Sequence, residues 1–146
     1  MTTELSAETV HASAVAIEGR AVLIEGRSGV GKSDLALRLI DRGAQLISDD
    51  YTVVQRRGRQ LVASPPEPIA GKIEVRGVGI VPLPFVRDVP VAMIVRVDDH
   101  PDRLPDEIEQ RRLAGIAIRV MPLPALEPSS PIKVEMALRL IDPDAA

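Results

Sequence analysis

Hydrophobic and polar positions along the chain fall into short apolar runs punctuated by turn residues. Val15 to Ile17 and Ala21 to Glu25 flank the pair Gly19-Arg20, a pattern that predicts a β-hairpin. The rhythm then changes. From about Lys32 to Arg42, Leu35, Leu39 and Ile40 are spaced for one helical face, and Gly43 stands where a helix C-cap is expected. Ala44 to Ser48 reads as a buried strand running into Asp49-Asp50, and Thr52 to Gln55 with Gln60 to Ala63 reads as a second hairpin. Ser64 to Pro68 carries three prolines and must be loop. Glu67 to Pro84 mixes glycines with apolar residues, the composition of a segment that wraps a site or a sheet edge. Val89 to Val97 is a strong strand, stopped by Asp98-Asp99-His100-Pro101. Asp106 to Leu113 is short, charged and compatible with a helix, and Ile116 to Val120 is another strand. Ile132, Val134, Met136, Leu138 and Leu140 alternate with polar residues, a period of two that favours a strand, although the same letters could begin a helix. No repeat or low-complexity tract interrupts this order. The expected fold class is α/β, rich in strands, in one domain spanning 1–146 with a flexible stretch over residues 1–10.

Composition narrows the chemistry. The 146 residues carry 18 Lys+Arg against 21 Asp+Glu, a net charge of -3, without the basic footprint of a nucleic-acid binder. One Tyr, one Phe and no Trp leave no platform for stacking bases. The absence of cysteine excludes a disulfide scaffold, a thiolate zinc site and a cysteine nucleophile. His11 and His100 are the only histidines, which argues against a histidine-based metal site. No run has the length of a membrane span and the polar N-terminus lacks the features of a signal peptide, so the expected address is cytoplasmic.

The strongest local signal is Gly26-Arg27-Ser28-Gly29-Val30-Gly31-Lys32-Ser33, which satisfies G-x-x-x-x-G-K-S/T in full between a strand and a helix. Glycines let the loop curl so that backbone N–H groups converge on phosphate oxygens, and the helix N-terminus adds its dipole there. Lys32 would reach the β- and γ-phosphates, and the Ser33 hydroxyl would ligate Mg²⁺. ATP and Mg²⁺ are the expected ligands. A second, acidic element decides the fate of the nucleotide. Asp49-Asp50 and Asp98-Asp99 both follow apolar strands. The latter, followed by His-Pro, reads first as a solvated turn, whereas the former lies at a strand end where α/β ligands collect. In a close pair of aspartates, one can orient while the other handles a proton.

With these residues in view, the chain resembles the catalytic domain of bifunctional HPr kinase/phosphorylase, the bacterial enzyme that phosphorylates a serine of the phosphocarrier protein HPr. His11 precedes the first hairpin as the family's active-site histidine does. Asp49-Asp50-Tyr51-Thr52-Val53 resembles the family's Asp-Asp-x-Val with one extra residue, and Ile73-Glu74-Val75-Arg76-Gly77-Val78-Gly79-Ile80 is close to its E-x-R-G-x-G signature. Asp102-Arg103-Leu104 resembles the segment carrying its catalytic arginine. The resemblance implies a P-loop fold akin to phosphoenolpyruvate carboxykinase, with the P-loop helix packed on a β-sheet. It implies that Lys32 neutralises phosphate and that Asp50 accepts the serine proton with Asp49 assisting. It further implies that Ser33 and Glu74 ligate Mg²⁺, Arg76 and Arg103 stabilise the transferring group, and His11 supports the site. Taken alone, Glu74 and Arg76 would read as an exposed ion pair on one strand face and His11 as a surface residue.

Departures from the family pattern accompany the likeness. Longer members carry an N-terminal regulatory domain and a further C-terminal helix, neither of which is expected here. The family's P-V-R-P-G-R-N segment is replaced by Pro124-Ala125-Leu126-Glu127-Pro128-Ser129-Ser130, without its arginines, so phosphate-dependent dephosphorylation is expected to be weak. Family members are homohexamers; oligomeric state here stays open. The leading expectation is an ATP-dependent protein-serine kinase acting on an HPr-like phosphocarrier, with neither nucleic acid nor membrane as partner. The alternatives are a small-molecule kinase and a nucleotide-sensing module without turnover.

Overall fold

A computed structural model of the chain describes residues 6–101 and 108–141. Eleven strands and two helices follow one another among the described residues. A strand β1 (Ala7–Val10) comes first, inside the stretch expected to be flexible, and pairs antiparallel with residues Thr52 to Gln55. Next come β2 (Ala12–Ile17), β3 (Arg20–Glu25), α1 (Lys32–Asp41), β4 (Gln45–Ser48), β5 (Thr52–Arg57) and β6 (Gln60–Ser64). A 3₁₀ turn at Glu67–Ile69 leads to β7 (Lys72–Val75) and β8 (Gly79–Pro82). The chain closes with β9 (Val89–Val97), β10 (Glu109–Leu113), β11 (Ile116–Leu123) and α2 (Ser130–Leu140).

The main sheet runs β1-β5-β6-β9-β3-β2-β4, and β11, carrying β10, also pairs with β9. β9 is the organising strand. It lies parallel to β3 on one edge, while its other edge is shared by β6 at Val89–Pro90 and β11 from Met93 onward. The sheet therefore forks at β9. Two cores follow from the period-two alternation. Ala12, Ala14, Ala16, Ala21, Leu23 and Ile94 face one way, towards Val54, Leu61 and Ile118, where the sheet curls over itself. Val15, Val22, Ile24, Met93 and Val95 face the other way and are covered by Leu35 and Leu39 of α1 and Val134 and Leu138 of α2. The small alanines of β2 leave room on the curled face, and larger residues meet the helices on the other.

Helix α1 stops for a local reason. Gly43 adopts φ 112°, its N–H donates to the Ile40 carbonyl, and Ala44 N–H donates to the Leu39 carbonyl, both at 3.0 Å. This pair of bonds is the Schellman termination, which favours glycine at the left-handed position.

Three expectations need correction. The stretch ending at Leu113 is a strand over Glu109–Leu113, paired antiparallel with β11. Ala114 and Gly115 both take positive φ (48° and 82°), forming a tight turn whose twist suits a hairpin. An alanine in the first position hid that turn from the sequence. The alternating segment near the end is helix α2, begun with Pro131 in its first turn. Proline fits a helix start, and Lys, Glu, Met, Ala and Leu favour the helix that follows. The first hairpin turns at Glu18-Gly19, one residue earlier than expected, with φ 51° and 78°. Among the described residues, no helix is long and apolar enough to cross a membrane.

Candidate functional site

The loop from Gly26 to Gly31 joins the end of β3 to α1 and holds the shape that its glycines suggest. Gly29 and Gly31 have φ 80° and 105°, open to glycine and costly to other residues. Gly31 is also tightly enclosed: a Cβ there would stand 2.7 Å from the Leu126 side chain. No side chain caps the N-terminus of α1, so its first N–H groups stay available beside the loop. Lys32 is buried and folds back across the loop, donating to the Gly26 carbonyl at 2.7 Å and the Arg27 carbonyl at 3.2 Å. Arg27, Ser28 and Val30 complete the turn, with Val30 N–H donating to the Arg27 carbonyl at 3.3 Å. Arg38, further along α1, donates to the carbonyls of Ala125 and Glu127 and so holds the 125–127 segment alongside the loop.

Asp49 and Asp50 are brought to this loop by β4. The pairing of β2 with β4 shifts register between Ala14 and Val15, a bulge that re-aims the strand end. Asp49 is buried, and its carboxylate accepts three hydrogen bonds. Oδ1 takes the hydroxyl of Ser33 at 2.6 Å and that of Ser13 at 3.1 Å; Oδ2 takes the backbone N–H of Glu74 at 2.9 Å. Asp50 differs in every respect. It is exposed, sits at φ 68°, and places Oδ1 2.8 Å from His11 Nε2. The His11 ring stacks on Tyr51 with centroids 5.0 Å apart, and Asp50 N–H donates to the Ser13 hydroxyl at 3.0 Å. Ser13 thus ties both aspartates together. The sequence offered one signal for it, a single hydroxyl within an otherwise apolar strand.

Other expected residues are placed less uniformly. Glu74 reaches the site through its backbone, and its exposed side chain stands on β7. Arg76 is exposed in the turn between β7 and β8, one residue past the strand on which the two were expected to pair. Arg103 lies outside the described residues. Asp98 caps the N–H of His100 at 2.9 Å and Asp99 lies 3.8 Å from Arg27, the turn role expected for that pair. Below the loop, Arg111 donates to Glu25 at the end of β3, and this bond raises the Arg111 guanidinium above its ordinary value.

The arrangement can do two things chemically. A curled loop, a helix N-terminus and a buried ammonium form a cradle for a polyphosphate. The Ser33 hydroxyl against the Asp49 carboxylate supplies the hard oxygen donors that a hydrated Mg²⁺ takes, and such an ion needs few protein ligands when phosphate oxygens complete its shell. Among the described residues, no group of three or more His, Asp or Glu side chains is placed to hold a metal ion. Asp50, exposed and oriented by His11, is available to a proton donor arriving from solvent.

Comparison with known proteins gives a consistent result. A family model described as HPr Serine kinase C-terminal domain matches residues 3–141. An HPr kinase/phosphorylase of Clostridium tetani is 33% identical over 134 residues, covering 83% of this chain and 44% of the relative. One from Chloroherpeton thalassium is 39% identical over 100 residues, covering 68% of this chain and 28% of the relative. The chain thus spans less than half the length of these curated relatives. The solved structure titled as the Hpr(Ser) kinase/phosphatase from Coxiella burnetii superposes with a TM-score of 0.79 at 30% identity, covering 91% of this chain and 89% of that one.

Proposed function

The chain belongs to the family of HPr serine kinase C-terminal domains, and from that premise we propose that it transfers the γ-phosphoryl group of ATP to a serine of an HPr-like phosphocarrier protein. The observation that carries this reading is the continuous polar path from the P-loop to solvent: Ser33 to Asp49, Asp49 to Ser13, Ser13 to Asp50, and Asp50 to His11. The buried end of this path suits a cation and phosphate, and its exposed end suits an acceptor presented by another protein.

Phosphoryl transfer is mostly positioning and charge neutralisation. Backbone N–H groups of Gly29 and of Gly31 to Ser33 would bind the β- and γ-phosphates, and the Lys32 ammonium would exchange its two loop carbonyls for phosphate oxygens. Ser33 and Glu74 would hold Mg²⁺, with Asp49 fixing the Ser33 hydroxyl and the Glu74 backbone. Mg²⁺, when bound, neutralises charge on the phosphate oxygens. Asp50 takes the proton of the incoming serine hydroxyl as the serine oxygen bonds to the γ-phosphorus. The bond from that phosphorus to the β–γ bridging oxygen breaks, leaving ADP and phosphoserine. His11, against Asp50 and stacked on Tyr51, is a positioning residue. Arg76 and Arg103 would meet charge on the transferring group. The segment Pro124 to Ser130 contains no basic side chain, which supports a weak second activity, the dephosphorylation of phosphoserine by inorganic phosphate with release of pyrophosphate.

The test is phosphotransfer from γ-labelled ATP with Mg²⁺ to an HPr-like carrier, beside a carrier whose target serine is alanine. Label on the first alone is the expected outcome. Nucleotide binding without label on any protein or small-molecule acceptor would instead establish a sensor without turnover.

A further inference from the structure

The fork in the sheet leaves a cleft far from the phosphate loop. On the edge of β9 shared by two strands, β6 pairs with Val89 and Pro90, and β11 starts at Met93, so Val91 and Ala92 pair with neither. A cavity of about 680 Å³ opens at this gap. Its walls are apolar, from Leu61, Ile116 and Ile118, and its charged lining consists of Arg20, Arg59 and Arg119, with no carboxylate among the described lining residues.

The arginines are not equivalent. Arg20 donates to the carbonyls of Leu138 at 3.1 Å and Ile141 at 2.9 Å, which fixes the end of α2 as one wall. Arg59 is exposed in the turn between β5 and β6. Arg119 is partly buried, and its Nε is enclosed without a hydrogen-bond partner. A buried donor left unmade on a charged group is costly and calls for an acceptor. The fold supplies positive charge and apolar walls in one concavity, with Arg119 among the residues that line it.

We propose that this cleft is a binding site for a small organic anion, a phosphate ester or carboxylate with an apolar body. Its anionic group accepts from Arg119 and Arg59, and its body lies against Ile116 and the exposed Ile108 and Leu140. The site is separate from the phosphate loop. Arg20 begins β3 and Glu25 ends it, so the loop lies roughly 17 Å away at the other end of the strand. The inference stands independently of the phosphoryl-transfer reading.

Phenyl phosphate serves as the probe, titrated into protein whose phosphate loop is saturated with Mg²⁺ and a non-hydrolysable ATP analogue. Amide NMR shifts of Val91, Ala92 and Arg119 are the readout. Saturable shifts at these residues are expected, with phenol giving none and Arg119→Gln weakening the affinity about tenfold. Equal shifts with phenol, shifts confined to Gly26 to Ser33, or unchanged affinity in Arg119→Gln would each overturn the site. If Arg119→Gln fails to fold, Arg59→Gln in its exposed turn carries the test: about threefold weaker binding supports the site and none overturns it.

Discussion

Two neighbouring aspartates of one chemistry occupy opposite environments, and the difference assigns each a task. Asp49 has its lone pairs taken by two hydroxyls and a backbone N–H, whereas Asp50 is exposed with His11 against its side chain. Asp50→Asn keeps the shape and removes the base. We expect phosphotransfer to fall about a hundred- to ten-thousand-fold, the usual share of general-base catalysis. Nucleotide affinity should stay within twofold, read by parallel single-turnover and equilibrium binding measurements. Loss of nucleotide binding would show that Asp50 belongs to the cradle and not to the acceptor side. Ser13→Ala tests the link between the two carboxylates. It strands the Asp50 N–H and removes a donor from Asp49, so a loss of about 1–3 kcal/mol in urea denaturation is expected. Transfer should drop as well, because Asp50 loses the bond that fixes its left-handed backbone. A variant as stable as the parent would mean that water replaces the hydroxyl. The P-loop glycines, Lys32 and the aspartate pair were legible because each is defined by local spacing. Ser13 was not, since its role arises only where the bulge between Ala14 and Val15 slides β4 beside it.

At the scale of the element, α2 shows how a true pattern can mislead. Apolar residues at 132, 134, 136, 138 and 140 satisfy a strand, but the helix uses only Val134 and Leu138 of that series, with Ala137, against the sheet. Ile132, Met136 and Leu140 are left exposed, at 41%, 56% and 82%. Period two cannot separate these readings, because every fourth residue of the helix also belongs to the alternating series. Pro131 and the bidentate pair between Arg42 and Glu135 decide it, the latter tying α2 to the end of α1. That bond also raises the Arg42 guanidinium above its ordinary value. The distinction has a measurable consequence. In a strand, Met136 and Leu138 would share a face and cost alike on truncation. In the helix, Leu138→Ala should cost about 2–5 kcal/mol. Met136→Ala should stay within about 0.5 kcal/mol. Equal losses for the two variants would restore the strand. β10 shows the opposite case: its charged alternation belonged to a strand, and a turn built on Ala114 instead of Asn or Asp concealed the hairpin.

Across the whole molecule, the candidate site joins parts of unequal rigidity. β3 is flanked by β2 and β9, and its residues Val22, Leu23 and Ile24 are almost fully buried between the two cores. β9 is paired on both edges from Met93 to Arg96. The phosphate loop therefore springs from a strand enclosed on both faces and paired on both edges. Among the described strands, β7 and β8, which carry Glu74 and lead through Arg76, pair with each other alone; Ile73 is the hairpin's one fully buried residue, and Val78 and Ile80 stand exposed at 75% and 71%. Local opening draws on elements with few buried contacts, whereas central strands exchange only when the molecule unfolds. Amide hydrogen exchange should accordingly be slowest in Val22–Ile24 and Met93–Val95 and orders of magnitude faster in β8. Within the hairpin, the Glu74 amide should be slower than its neighbours, because it donates to buried Asp49. Asp49→Ala should abolish that difference while leaving β3 slow relative to the hairpin. Were β8 as slow as β3, the hairpin would be part of the rigid platform, and Glu74 and Arg76 would be held in place before any nucleotide arrived. With the expected ordering, the charged tip can move relative to the phosphate loop, and Asp49 is the hinge point through which one side chain meets the cradle, the acceptor side and the mobile strand.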